Sequence, residues 1–262
     1  MQSKIHKSVV LLGCLIVSFF VSGFGGQQIL PGILNPSASS GTPGTASHVA
    51  DCSNSTGGGA SSLACTINGV TAGDLIAGCT TWSDSVNNFA NVSVSDGTSS
   101  FTVSTANSSG TYTTSTYGQC FYLLSANGGN KTYTVTYNDT NPHYGEIIVG
   151  QFHATSGTWH YDTQVSGIGN STSSSSGNFT THASTGEVVI NGNRLANVAA
   201  TSSSPSIGGN TPTEFANSPI GSPIGSDHQY YLLNTSVSAG AATLTYSATT
   251  YWTNLVVGFY AQ

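Results

Sequence analysis

From about residue 47 onward, apolar residues of this chain recur at every second position, and no stretch holds a helical period of adequate length. "TYTVTY" (132–137) sets Tyr133, Val135 and Tyr137 on one face and three threonines on the other. "LACTINGV" (63–70) places Leu63, Cys65 and Ile67 together, and "DLIAGC" (74–79) is the continuous apolar run of a strand covered on both sides. "NVSVSDGTSSFTVS" (91–104) reads as a hairpin, because Asp96-Gly97 divides two alternating runs. A period of two leaves few architectures open, and the expected class is all-β.

The pattern also repeats. "FYLLSANGGNKTYTVTY" (121–137) aligns without a gap with "YYLLNTSVSAGAATLTY" (230–246), 109 positions later. With one deletion, "IIVGQF" (147–152) matches "LVVGFY" (255–260), Gly150 against Gly258. Upstream, "AGDLIAG" (72–78) resembles "TGEVVIN" (185–191), Asp74 against Glu187. The half-repeats cover about 70–155 and 184–261. Each alone would bury little core, so the expected domain is a single two-sheet antiparallel β-sandwich over 47–262 with an internal pseudo-repeat. What the copies keep is aromatic, aliphatic and threonine positions. Lys131 faces Gly240, Asp139 faces Ala248, and Glu146 has no acidic counterpart. The copied stretch is scaffold, and a site is expected where the halves differ, at about 80–118 and 192–229. "SGIGNSTSSSSGN" (166–178) and "SPIGSPIGS" (218–226) read as loops.

Lys4 and Lys7 precede an apolar run, "VVLLGCLIVSFFV" (9–21), and small residues follow in "SGFGG" (22–26). Residues 1–26 read as a secretory signal peptide, and 27–46, rich in Pro, Gly and Ser, as a flexible linker or N-terminal arm. Removing the leader leaves Lys131 and Arg194 as the only basic side chains besides histidine, against ten carboxylates. Such a chain cannot neutralise a phosphate backbone or anionic lipid, so nucleic acid is excluded and no membrane partner is expected after signal removal. With 37% hydrophobic and 10% aromatic residues it can still bury a core. Beyond the leader stand Cys52, Cys65, Cys79 and Cys120, an even count that favours two disulfides in an exported chain. Three pairings are open. The expected one closes a local loop with Cys52–Cys65 and joins two strands with Cys79–Cys120. Zinc is disfavoured, since no C-x-x-C and no nearby histidine at ligand spacing occurs.

Catalytic signatures are sparse. No G-x-S-x-G elbow is present. Glu146, Asp162, Glu187 and Glu214 stand isolated, without the alternating acids of a sandwich glycosidase. His153, His160 and Asp162 form the most metal-like cluster, but H-x-D alone is weak, and neither metal nor cofactor is expected. Sequons follow the abundance of Asn, Ser and Thr and show no enrichment. The aromatic residues say more. Tyr112, Tyr117, Trp159 and Tyr161, with Asp162 beside them, lie near strand ends or loops, where rings stack on sugar faces and polar groups bond hydroxyls. They are the candidate ligand-binding residues.

"VTAGDLIAG", "VSVSDGTSSFTVS", "GGNKTYTVTY" and the terminal "TNLVVGFYA" resemble secreted bacterial jelly-roll or lectin-like β-sandwich modules of surface and adhesin-like proteins. The resemblance spans about residues 60–261 and implies a sandwich fold without assigned catalytic residues. The expected function is therefore non-catalytic and extracellular: an adhesive or carbohydrate-binding module whose partner is a neutral polysaccharide or cell-surface glycan. One alternative is self-association as a subunit of a surface layer, fibre or virion. The other is a glycoside hydrolase.

Overall fold

The computed structural model describes residues 44–56, 59–84, 91–105, 107–109, 116–138, 143–182, 185–196, 201–216, 220–222 and 225–262. Every regular element among them is a strand, and every strand pairing is antiparallel. One sheet runs in the order β1 (Ala46–Ser55), β9 (His143–Ala154), β3 (Leu75–Asp84), β7 (Thr116–Leu123) and β5 (Thr102–Val103), with β6 (Asn107–Ser109) also on β7. A small sheet holds β2 (Ser62–Val70), β8 (Gly129–Tyr137) and β4 (Val92–Ser95). The largest runs β10 (Trp159–Phe179), β16 (Gly240–Ala261), β11 (Glu187–Leu195), β15 (Gly225–Leu233) and β13 (Thr213–Glu214). To it β12 (Ser202–Ile207) adds on β16, and β14 (Ile220–Ser222) on β15.

The expected two sheets are thus three, and the reason lies in the doubly covered strands. Ile76 and Val149 turn one way, against Val135 and Leu63 of the small sheet. Their neighbours Leu75 and Ile148 turn the other way, against Val188, Val257 and Phe259 of the largest sheet. That sheet also folds over itself, so Val189, Tyr230 and Val256 meet Ile207, Ala242 and Leu244. Each fully buried side chain of this size stabilises the fold by about 1.5–3 kcal/mol. Strands that feed two cores therefore carry most of it. Cys52–Cys65 staples β1 to β2 across the first core, and Cys79–Cys120 joins directly opposed residues of β3 and β7.

Four expectations change. Residues 166–178 are not a loop but lie within β10, paired to β16. Their small polar side chains are satisfied where they turn inward: Ser174 Oγ accepts from Asn193 and Asn254 Nδ2, and Ser176 Oγ from Ala242 N. The described part of 218–226 also pairs, as β14 on β15. The arm gives up its end to the fold, because Ala46 opens β1 and exchanges hydrogen bonds with the Asn234 amide. The 91–104 segment makes its turn, with Asp96 Oδ1 accepting from Thr98 and Ser99 N, but its two runs then separate into different sheets.

The strand ladders also order the central core. Ile76 lies between Leu123 and Gln151, and Val189 lies between Leu232 and Gly258. Phe152 and Phe259, each one position beyond the partner of Ile76 or Val189, both enter that core.

Gly192 sits at a close approach of the two large sheets. A Cβ there would stand 2.8 Å from Cys79 Cβ and 2.9 Å from its sulfur. Gly192→Ala should cost about 1–3 kcal/mol, read as a lower denaturant midpoint at unchanged m. A midpoint equal to wild type would show that the sheets can shift apart freely.

Candidate functional site

Two polar sites stand out in this apolar frame. The first lies between the two large sheets and is closed to solvent. Arg194 Nη1 lies 3.1 Å from Glu146 Oε1, with both side chains at 0% exposure, and Arg194 Nε donates to Ser83 Oγ. Asp227, equally buried, accepts from Gln229 Nε2 at 2.9 Å. The Gln229 amide also brackets the Cys79 peptide, accepting from its N–H and donating to its C=O. Burial pushes the Asp227 carboxyl up to about 6 against the pull of Gln229 and Arg194. It pushes Glu146 up as well, against Arg194 and with the help of Asp227. A cluster enclosed in this way is a structural element.

The second is a groove of about 410 Å³ on the largest sheet, lined by Ser202, Ser203, Pro205, Pro212, Glu214, His228 and Tyr230. Its geometry follows from pairing. β12 is held by β16, while β13 and β15 pair with each other, so β12 and β15 wall a gap without bridging it. Ser202 Oγ stands 3.0 Å from His228 Nδ1 and 3.2 Å from Nε2, and Glu214 Oε1 is 3.4 Å from Nδ1. Ser202 and Glu214 stand by the Tyr230 hydroxyl, and burial raises its pKa to about 12. Burial lowers that of His228, against the opposing pull of Glu214, which favours the neutral ring. Beside these groups Ser204 has φ 51°, within a bulge between Ser203 and Ser206. A serine in the left-handed region, held just before a proline, is strained backbone of the kind that gathers at functional sites.

Another set of strand pairs carries inert groups at similar ladder positions. Val92 faces Tyr137 as Ser202 faces Tyr246, and Val103 faces Phe121 as Glu214 faces Tyr230. Gln119 stands where His228 does, and its amide closes the gap by accepting from Val92 N and donating to Ser104 O. Val92 and Val103 thus pair with aromatic residues as Ser202 and Glu214 do, and the Gln119 amide fills the gap beside them.

The residues expected to bind ligand fall elsewhere. Tyr112 lies outside the described residues. Tyr117 is a core residue stacked on Trp82, and Trp159 is buried in the central core. Asp162 accepts from His182 N at 2.7 Å. Tyr161 is 38% exposed, but it stacks on Tyr122 and abuts Phe259, just as His48 stacks on Tyr231 and abuts Phe152. Rings near strand ends here cover the edges of the core. His153 is committed to Asp74 at 2.7 Å and His160 to Thr158 at 3.1 Å, so the metal-like cluster is divided among other partners. Ser202, Glu214 and His228 were missed because they lie far apart in sequence and no local motif joins them. The available signal was their position inside 192–229, where the halves diverge.

No family model matches this chain, nor does any curated protein or solved structure. The function is therefore argued from the geometry. Two disulfides, with no helix among the described residues long and apolar enough to cross a membrane, are compatible with an extracellular protein.

The closed cluster makes a prediction. Asp227 titrates near 6 when folded and near 3.8 when not, so the folded chain holds a proton that the unfolded chain releases. The stability this contributes is fully present below about pH 4 and is lost as pH rises through about 6. Between pH 3.5 and 7.5 the wild type should lose on the order of 2–3 kcal/mol relative to Asp227→Asn. Thermal melts of both proteins across that range would measure it, and parallel curves would contradict it.

Proposed function

We propose that this chain is an exported, internally duplicated, jelly-roll-like β-sandwich that binds neutral glycans in the groove between β12 and β15. The observation that carries the reading is the groove itself, with two serine hydroxyls, a phenol, an imidazole and a carboxylate set between two proline rings. Convergent donors and acceptors in a concavity of a few hundred Å³ suit a polyhydroxylated ligand. The scarcity of basic side chains suits a ligand without charge. The duplication is supported by the pairing order, since β1, β2, β4 and β5 contact β9, β8 and β7 as β10, β12 and β13 contact β16 and β15.

Self-association has one observation in its favour. β1 and β10 are terminal in their sheets and expose Val49 and Ile168, which suits strand addition. A glycosidase finds less support, because the buried carboxylates that meet, Glu146 and Asp227, are sealed from substrate.

Glycan-array screening followed by calorimetry tests the binding reading. Glu214→Ala should weaken the best glycan at least about tenfold, the loss of one charge-assisted hydrogen bond, while Tyr161→Ala leaves it unchanged. The reverse ranking would move the site to the Tyr161 edge. A folded protein that binds no neutral glycan would overturn the reading.

A further inference from the structure

We propose that Ser202, His228, Glu214 and Tyr230 form an acyl-transfer site that hydrolyses esters of short acids. This activity goes beyond glycan binding and does not depend on it. Three observations on different scales converge. The side chains meet in hydrogen-bonding range at the floor of an open groove. The backbone next to the nucleophile is strained at Ser204. Val92, Gln119 and Val103, at similar ladder positions of another set of strand pairs, can neither attack, accept a proton nor orient a base.

The roles follow from the geometry. Ser202 Oγ stands between the two ring nitrogens, 3.0 Å from Nδ1 and 3.2 Å from Nε2, while Glu214 lies 3.4 Å from Nδ1. With Glu214 holding the proton on Nδ1, Nε2 is the acceptor left to Ser202. The distance of 3.4 Å is long, as such bonds commonly are before substrate binds. As Ser202 Oγ bonds to the ester carbonyl carbon, its proton passes to Nε2. The carbonyl oxygen takes the negative charge and accepts a hydrogen bond from the Tyr230 hydroxyl, a donor that stays protonated at every physiological pH. Collapse breaks the carbon–oxygen bond to the alcohol, which leaves with the proton from Nε2. A water then gives a proton to Nε2 while its oxygen bonds to the acyl carbon; the bond from that carbon to Ser202 Oγ breaks, Nε2 returns its proton to Oγ, and the carboxylic acid leaves. The sum is ester plus water to acid plus alcohol. Pro205 and Pro212 line the same groove, and its volume of about 410 Å³ suits a short acyl group.

The test uses the whole exported chain with a fluorophosphonate probe and p-nitrophenyl acetate. Mass spectrometry should place the phosphonyl adduct on Ser202. Ser202→Ala should abolish labelling and lower ester hydrolysis on the order of 100-fold or more, with an unchanged melting temperature. Glu214, a positioning residue, should show a different signature. Glu214→Gln should lower kcat about tenfold or more at nearly constant KM, and Glu214→Asp should restore part of it. Absence of labelling, an adduct at another serine, or hydrolysis by Ser202→Ala equal to wild type would each overturn the proposal. Calorimetry with a glycan ligand, run on Ser202→Ala in parallel, separates failure of the activity from failure of the binding reading.

Discussion

Gln229 makes the contact on which the meeting of the two large sheets depends. Its amide reads one peptide of the facing sheet, that of Cys79, as both donor and acceptor. It can reach because Gly192 beside it has no side chain to hold the sheets apart. Along every strand of this interface the inward residues change character at that level. β3 passes from Leu75 and Ala77 to Thr81 and Ser83, β11 from Val188 and Ile190 to Arg194, and β9 from Phe152 and Ile148 to Glu146. One end of the interface is dry packing. The other is a hydrogen-bonded network around a buried arginine, which fixes the register more sharply than apolar packing could, since any slide would strand a charge.

That polar end also carries the charge imbalance. Two carboxylates share one guanidinium at 0% exposure, so burial resolves the excess by keeping a proton in the cluster. The groove solves a different problem. There the polar groups line the gap between β12 and β15, with His228 and Tyr230 themselves largely buried. Between β4 and β7 the Gln119 amide bonds Val92 N and Ser104 O instead.

Much of this architecture was legible in the sequence. The period of two in "TYTVTY" and the unbroken run "DLIAGC" announce strands with one and two covered faces, and Tyr133, Leu75 and Ile76 are buried accordingly. The serine-rich stretch 166–178 misled because its composition is that of a loop, whereas its conformation is set by the partner strand β16. The site was less legible. Tyr117 and Trp159 look like ligand platforms in a linear reading, but which face of a strand meets a core is decided by sheet pairing. Ser202, Glu214 and His228 come together only through the separate pairings of β12 to β16 and β13 to β15.

β8 and β9 are separate strands in different sheets, while β16 runs unbroken from Gly240 to Ala261. Its last part lies between β10 and β11, hydrogen-bonded on both sides. Tension arriving through Ala261 would therefore load two antiparallel ladders at once in shear, instead of peeling an edge strand one bond at a time.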